Sequence, residues 1–313
     1  MMLLQEPLYP DVTPFFWEVE IMQSSYFQRL KHLAHYGAGS LVSSVTHSRL
    51  EHTVGVWKLT AHFFSDWVEL RAAALLHDIG HLPFSHAIER TLGYDHHQLT
   101  ETYIQRDEIK NLLHKAEITS NQICDLLNKQ SPLTGTKATL GLDHLDSFVR
   151  DTYMMGELDG SSFDLLSTLS CTDEGISTDI QTAEWILDLI LKDHHIMHAP
   201  LLKAVDQLLS EAVRLHQQLV EDDISFLVDA QLTARLLQSP SQKAQDIIHT
   251  LLFEPYRIRV SDRISSEGLH VQKGKVYHRF PLVLGEDMSH TKRALTHTQQ
   301  LHQLRKEYRI TIQ

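Results

Sequence analysis

The sequence predicts a mainly α-helical fold with a small α+β appendage at its C-terminal end. Apolar residues recur at helical spacing through the first 255 residues, and no run in that part is typical of a parallel sheet. After Pro255, apolar residues alternate with polar ones from Val276 to Leu282, as in a half-buried strand. We therefore predict two units, a helical domain over 1–255 with its functional motifs in 47–151, and a small α+β subdomain over 256–313.

The helices of the first unit follow from apolar spacing and from the residues that interrupt it. Residues 1–20 are rich in proline and are predicted to be irregular, and Gly37 and Gly39 end the first helix. Pro83 suits the first turn of a new helix. The Gly/Ser/Asp-rich stretch 156–180 is predicted to be a loop or lid. The predicted helices are 21–34, 49–67, 68–81, 84–92, 97–117, 119–129, 137–155, 181–193, 200–220, 224–237 and 241–253.

In the second unit, the alternating stretch around 276–282 is predicted to pair with a strand over 256–264. A polar helix over 289–307 and a final strand over 309–312 complete this subdomain. Its charge also differs from that of the helical unit. From Arg257 onward there are 11 Lys and Arg against 5 Asp and Glu, a net charge of +6, within a chain whose net charge is −12. Nucleic-acid binding by this basic subdomain is a weaker candidate function.

Composition limits the class of protein. The 313 residues, 42% of them hydrophobic, are enough to bury a large core. The two cysteines, Cys124 and Cys171, do not form a disulfide framework, so we expect a cytoplasmic location. No apolar run approaches the roughly 20 residues that span a bilayer, and we expect no membrane association. Because the chain is acidic, a site for a phosphate group must concentrate its own positive charge.

The stretch from Ala72 to His86 carries the strongest chemical signal. An almost wholly apolar helix is predicted to be buried, and it ends in the adjacent pair His77 and Asp78. A buried carboxylate costs several kcal/mol unless it is paired or binds a cation. Imidazole and carboxylate together suit one divalent transition metal such as Mn, Fe, Co, Ni or Zn, with Mg as an alternative. A hydrogen-bonded His–Asp pair in the core is the competing interpretation, and the further histidines His81 and His86 favour the metal.

Three runs of residues resemble the HD superfamily of metal-dependent phosphohydrolases, and most closely its deoxynucleoside triphosphate triphosphohydrolase branch. They are His47–Val56, Leu75–His86 and the stretch from Gly141 to Asp151, and the likeness extends over roughly 7–155. The resemblance implies an HD-domain helical bundle that holds one metal ion through a His, an adjacent His-Asp and a later Asp. In this sequence those ligands are His52, His77, Asp78 and Asp143.

The resemblance also assigns residues around the metal. It implies catalytic roles for His96 and Arg49 beside the ligand Asp78, with Arg49 contacting phosphate through its planar guanidinium. It implies substrate contacts for His81, His86 and Asp151. Taken singly, His81, His86 and His96 are each better explained as structural or solvent-exposed residues; their joint pattern favours function. For Asp146 and Asp151 a surface carboxylate or an arginine partner is the alternative.

Three positions depart from the pattern of that branch. His144 stands where Lys or Arg usually follows the last metal Asp, Ser147 replaces a Tyr that contacts the sugar, and His97 replaces a Glu. We count all three as candidate substrate-binding residues. Their identities affect the choice of substrate and leave the metal ligands intact.

The sequence therefore predicts a metal-dependent phosphohydrolase that acts on nucleotides. Release of triphosphate from a (deoxy)nucleoside triphosphate is the first hypothesis, and the resemblance implies a homo-oligomer. A nucleoside monophosphatase or a stepwise phosphatase on nucleotides or their analogues is the alternative within hydrolases. A two-iron oxygenase, with His81, His86 and His96 as ligands of the second iron, is a rival from another class. A regulatory module with a vestigial site is the third, and the complete set of ligands argues against it.

Overall fold

The computed structural model describes residues 5–158, 165–262 and 267–313 of the chain, and these form a mainly α-helical fold, as predicted. Helices α1 to α15 are, in order, Phe16–Gln23, Ser25–Arg29, Arg49–Phe63, Val68–Leu76, Glu89–Leu92, His96–Ile104, Asp107–Lys115, Ser120–Asn128, Leu142–Met154, Leu165–Thr168, Ile180–Met197, Pro200–Gln217, Asp229–Leu237, Gln242–Phe253 and Lys292–Leu304. Strands β1 to β7 are Leu169–Thr172, Gly175–Thr178, Ile258–Ser261, Leu269–Val271, Leu282–Val283, Glu286–Asp287 and Tyr308–Ile312. Short 3₁₀ turns occur at Leu30–His32, Gly37–Leu41, Ser85–Ala87 and Pro255–Arg257.

The first hydrophobic core surrounds α3 and α4. Every residue of α4 from Leu70 to Leu76 is buried, which confirms the predicted buried helix. Trp57 on α3 and Phe27 on α2 are also fully buried in this cluster. Because α4 is covered on all sides, its C-terminal end and the residues that follow are held inside the protein.

The C-terminal residues contribute to two further cores. The sheet β3-β7-β4 packs on α12, where Ile258, Val271 and Ile310 join the buried cluster of Leu208 and Ala212. Strand β5 and helix α15 instead pack with α9 and α11. The division of the chain at residue 256 stays a prediction, but the residues beyond it lie against helices of the first unit.

Several predicted helices are shorter than expected, with clear local causes. Helix α4 ends at Leu76, and residues 77–80 form turns that carry the His-Asp pair. The predicted helix 84–92 is wrong as a single helix, because Phe84 and Ser85 have positive φ angles of 57° and 53°. The segment 97–117, which was predicted as one helix, forms two helices, α6 and α7.

Two segments near the later helices also differ from prediction. Helix α9 begins only at Leu142, because residues 138–140 exchange backbone hydrogen bonds with Phe280. The predicted loop over 156–180 contains the antiparallel hairpin β1-β2 and the start of α11; residues 159–164 lie outside the described residues. Glycine and serine favour a turn, yet Gly175 and Ser177 lie in β2, so composition did not distinguish a loop from short strands.

The predicted pairing of 256–264 with 276–282 is wrong. Strand β3 pairs with β7, and β5 pairs in parallel with β2 of the distant hairpin. Alternation of polar and apolar residues identifies a strand with one buried face but carries no information about its partner. The predicted C-terminal helix and final strand are present as α15 and β7. No helix among the described residues is long and apolar enough to cross a membrane.

Candidate metal centre and catalytic pocket

Four polar side chains from three helices converge on one point. His52 comes from α3, His77 and Asp78 follow the C-terminal end of α4, and Asp143 lies in the first turn of α9. The two Nε2 atoms of His52 and His77 are 3.3 Å apart. Asp143 Oδ1 lies 3.1 Å from His52 Nε2, and Asp78 Oδ1 lies 3.5 Å from His77 Nε2. These are the four residues that the sequence singled out as metal ligands.

The second ring nitrogen of each histidine has a partner that fixes its orientation. The Nδ1–H of His77 donates to the carbonyl oxygen of Ala74 (2.8 Å), and that of His52 donates to Asp146 Oδ2 (2.8 Å). In a neutral ring these bonds leave Nε2 unprotonated, so two lone pairs face one another across 3.3 Å. Metal-binding histidines are held in this way, with a carbonyl or carboxylate behind them.

Asp146 is a site residue whose role sequence reasoning missed. Its side chain is completely buried, and Arg150 donates to both of its oxygens at 2.9 Å. Arg150 also forms a 3.0 Å ion pair with Glu6. The expected alternative of an arginine partner was therefore correct for Asp146, but the bond to His52 was not foreseen. A carboxylate three residues after Asp143 on the same helix was the available signal.

The electrostatics of this cluster favour a positive charge beside its carboxylates. Burial lowers the pKa of His52, but hydrogen bonds with the carboxylates of Asp143 and Asp146 raise it to about 10. Burial raises the pKa of Asp78, yet the charge of Arg49 and its histidine neighbours leave it well below its ordinary range. A proton on His52 or a bound cation would balance these carboxylates, and two imidazoles with two carboxylates are a donor set that fits a divalent transition metal.

Arg49 lies directly beside the cluster. Its Nη1 donates to Asp78 Oδ2 (2.8 Å) and its Nε donates to the hydroxyl of Ser85 (2.9 Å). That hydroxyl in turn donates to the carbonyl oxygen of Ala34. The left-handed backbone at Phe84 and Ser85 is what directs this hydroxyl towards Arg49, which explains why the predicted helix is interrupted here.

The turn that carries His77 and Asp78 is anchored from both sides. Arg29 donates to the carbonyl oxygens of His81 (2.8 Å) and Leu227 (2.7 Å). Thr100 on α6 accepts from Gly80 N and donates to the carbonyl oxygen of His77. A Cβ at Gly80 would lie 2.2 Å from Thr100 N, so only glycine allows α6 to approach this closely.

A second cluster lies next to the first. His96 Nδ1 is 2.8 Å from Glu89 Oε1, and His86 Nδ1 is 3.1 Å from Glu89 Oε2. The rings of His81 and His96 stack at 4.2 Å, and His81 Nε2 reaches Asp78 Oδ1 at 3.2 Å. Glu89 was missed by sequence reasoning, although it follows His86 by three residues. Burial raises the pKa of Glu89, but the hydrogen bonds of His86 and His96 bring it far below its usual value.

Both clusters open into one cavity of about 380 Å³. The predicted substrate-binding residues His97, His144 and Ser147 contribute to its wall, whereas Asp151 does not and is buried behind it. Burial lowers the pKa of both His97 and His144, so these rings add little positive charge at neutral pH. The wall includes Arg49, His52, His77, Asp78, His81, His86, His96, His97, Asp143, His144 and Ser147, together with His35, which the sequence analysis did not single out.

Asp151 belongs to a third cluster with His35 and His47. His47 Nε2 and His35 Nε2 lie 3.2 Å and 3.7 Å from Asp151 Oδ1. Burial, and then the charge of Arg150, lowers the pKa of His47 to about 3, so the ring is neutral. Burial raises the pKa of Asp151 well above its usual value, with Asp193 adding to the shift.

Comparison with known proteins agrees with this geometry. Residues 49–146, from Arg49 to the carboxylate behind His52, match the family model described as the HD domain. This segment is therefore similar to an HD domain. The match includes His52, His77, Asp78 and Asp143, so all four converging side chains lie within the matched segment.

Several proteins of known sequence are similar to part of this chain. An uncharacterized protein of Methanocaldococcus jannaschii is 31% identical over 163 residues, which are 50% of this chain and 34% of that protein. A metal-dependent phosphohydrolase of Cordyceps militaris is 31% identical over 150 residues, 45% of this chain and 41% of the relative. A deoxynucleoside triphosphate triphosphohydrolase SAMHD1 homolog of Dictyostelium discoideum is 34% identical over 86 residues, 23% and 17% of the two chains. The chain spans about a third to a half of the length of the curated relatives it matches.

Proposed function

We propose that this protein is a metal-dependent phosphohydrolase whose substrate is a nucleotide. The observation that carries the proposal is the convergence of His52, His77, Asp78 and Asp143 at the wall of a polar cavity that also contains Arg49. A divalent metal held by these four residues would supply Lewis-acid activation of water and neutralisation of charge on a phosphoryl group. The name of the Cordyceps militaris relative supports the same reaction class.

The remaining groups of the cavity suit phosphate chemistry. Arg49 offers a guanidinium beside the metal ligands, where its planar fork can hold non-bridging oxygens. His96 receives its orientation from Glu89 through Nδ1, so its Nε2 can carry a proton to a leaving oxygen. His81 links the two clusters, because its ring stacks on His96 and its Nε2 lies 3.2 Å from Asp78 Oδ1.

Release of triphosphate from a (deoxy)nucleoside triphosphate is the first hypothesis for the bond that is broken. The Dictyostelium discoideum relative supports it through its name. His97, His144 and Ser147 depart from the pattern of that branch at positions where sugar and polyphosphate contacts are expected. A nucleoside monophosphatase or a stepwise phosphatase is therefore the alternative. A homo-oligomer is part of the proposal, to be tested by light scattering on the purified protein.

The deciding experiment is incubation of the protein with a nucleotide panel and Mn²⁺, Co²⁺ or Mg²⁺. Products are separated as nucleoside plus triphosphate, pyrophosphate or phosphate. Triphosphate release supports the first hypothesis, and single phosphate release supports the alternative. Absence of any hydrolysis with every metal, in protein whose ligands bind metal, would contradict the function. The control is the His77→Ala/Asp78→Ala protein, which should be inactive.

One observation favours a second candidate, a two-iron oxygenase. The donor atoms of His81, His86, Glu89 and His96 all lie within 4.8 Å of one another. His81 also approaches Asp78, so a second ion would lie next to the first. Oxygen consumption by iron-loaded protein, and loss of one iron in His96→Ala, would favour the oxygenase. Unchanged metal content in His96→Ala would favour the hydrolase.

A further inference from the structure

The reaction proposed above assigns no role to the third cluster, which consists of His35, His47 and Asp151. His35 follows the 3₁₀ turn Leu30–His32, His47 precedes α3, and Asp151 lies on α9. Its three donor atoms all lie within 4.8 Å of one another. The rings of His35 and His47 stack at 4.8 Å, and the His35 ring is 4.7 Å from that of His52. Three segments distant in sequence therefore bring two imidazoles and a carboxylate to one buried point.

The polar atoms of this cluster lack hydrogen-bond partners among the described residues. Neither ring nitrogen of His47 has one, although the side chain has no exposed surface. Asp151 Oδ1 also has none, although it lies 3.2 Å from His47 Nε2 and 3.7 Å from His35 Nε2. Leaving one such group unpaired costs about 1–3 kcal/mol, so Asp151 Oδ1 and the neighbouring His47 Nε2 together call for a ligand.

A neighbouring carboxylate strengthens the case. Asp193 on α11 lies close enough to Asp151 to raise the pKa of that carboxyl further, and Asp193 Oδ1 is itself buried without a hydrogen-bond partner. Among the described residues, Asp151 has ion-pair contacts with His35 and His47 and with no lysine or arginine. Two buried carboxylates therefore lie together without a fixed positive charge, which is unfavourable unless a cation or a shared proton is present.

We propose that His35, His47 and Asp151, with Asp193 beside them, bind a second divalent transition metal ion of the Zn²⁺ class. In a tetrahedral zinc site with bonds of 2.0–2.1 Å, neighbouring ligand atoms are about 3.4 Å apart. The separations of 3.2 Å and 3.7 Å from Asp151 to the two imidazoles match that spacing. They also resemble the 3.1 Å to 3.8 Å separations at His52, the site of the first ion.

This second ion would be structural. His47 and Asp151 do not contribute to the cavity wall, and both side chains are buried. Structural zinc sites are closed in this way, whereas catalytic sites keep an open position. Ligation would fix the ring of His35, the one member of the cluster that reaches the cavity, against the ring of His52.

The test is a metal count on intact protein stripped with a chelator and reloaded with Zn²⁺. The wild type should hold two ions per chain, and His47→Gln should hold one. His195→Gln is the matched control, because His195 is exposed on α11, and it should hold two. The His77→Ala/Asp78→Ala protein should hold one, and addition of His47→Gln to it should remove the last ion.

Two results would overturn the proposal. One is a single ion in both wild type and His47→Gln, which would leave the cluster as a set of protonated groups. The other is two ions in His47→Gln, which would put the second ion elsewhere. Should His47→Gln fail to fold, Asp151→Asn in the His77→Ala/Asp78→Ala background replaces it. In that background Zn²⁺ should raise the Tm by a few °C, and Asp151→Asn should abolish the rise.

Discussion

At the scale of single residues, the site depends on groups that do not themselves touch the metal. Asp146 holds the ring of His52 and is itself held by Arg150. Glu89 does the same for His96. Neither residue reaches the cavity centre, yet each determines which nitrogen of its histidine carries the proton. Substitution of either carboxylate therefore tests how the orientation of its histidine ring matters, without removing a group proposed to contact the metal or the substrate.

Asp146→Asn should weaken metal binding while leaving all four ligands in place. The neutral amide loses the ion pair with Arg150 and holds the ring of His52 less firmly. Loss of such a partner typically lowers metal affinity 10–100-fold. Competition with a chelating dye measures the change. Asp125→Asn, an exposed carboxylate paired with Lys129, is the control and should have wild-type affinity. Unchanged affinity in Asp146→Asn would show that Asp146 does not support His52.

His96→Ala should retain its metal and lose most of its hydrolytic rate. General acid–base assistance contributes about 10²–10⁴-fold, so kcat should fall by that order. Glu89→Gln keeps the imidazole but changes its hydrogen bond, so it should lose less rate and shift the pH profile. Metal content and kcat against pH are measured on both. If His96→Ala loses a metal ion, His96 is a ligand and the acid–base role is wrong.

Ser147→Tyr should narrow the range of sugars that the cavity accepts. Ser147 lies one turn after Asp143 on α9 and contributes to the cavity wall, where a tyrosine ring would occupy open space. Apolar contacts distinguish small groups by about 1–3 kcal/mol, so the native protein should treat ribo- and deoxyribonucleotides similarly. The measurement is the ratio of kcat/KM for the two sugars. A native ratio above about 10³ that the substitution leaves unchanged would mean that other residues select the sugar.

At the scale of elements, the positions of the site residues depend on how closely the helices that carry them approach one another. Helix α9 crosses α3 at Gly55, three residues after His52. A Cβ on Gly55 would lie 2.1 Å from Arg150 Nη2 and 2.2 Å from Asp146 Oδ1. The buried ion pair therefore occupies the space that any other residue would fill.

Gly55→Ala should reduce both stability and metal affinity. The methyl group must displace the Asp146–Arg150 pair or separate the two helices, and overpacking of this kind costs about 1–3 kcal/mol. Denaturant unfolding gives the stability, and chelator competition gives the affinity. A variant that loses stability but binds metal as tightly as wild type would show that the crossing and the metal centre are independent.

Asp206 on α12 gives stability a pH dependence. Burial raises its pKa to about 6, above an unfolded value of about 3.9. Between these two values the unfolded state has already lost a proton that the folded state still holds, so stability falls as pH rises from about 4 to 6. Asp206→Asn removes the ionisation and should be more stable than wild type at pH 8, with little difference near pH 4. Thermal unfolding at the two pH values measures this; an equal difference at both would contradict it.

At the scale of the whole molecule, the sequence predicted the helical architecture and the residues that converge at the centre. The resemblance to the HD superfamily identified His52, His77, Asp78 and Asp143 by their order and spacing, and the structure brings these four side chains together. The order of residues along the chain did not reveal that His35 and His47 lie against Asp151, because only the folded structure brings these three segments together. The predicted strand pairing was wrong for the same reason. The alternation of polar and apolar residues indicated a strand near 282, but that strand pairs with the one at 177.

One long-range contact bears on when, during synthesis, the proposed metal site could form. Leu140, two residues before α9, donates to the carbonyl oxygen of Phe280, and Phe280 N donates to Ala138. A ribosome adds about 5–20 residues per second, so Phe280 emerges roughly 7–27 s after Asp143. Until then the strand segment that leads into α9 lacks its partner, and the fourth ligand has no fixed position. Nascent chains stalled before residue 280 should therefore bind metal weakly even though all four ligands have been translated.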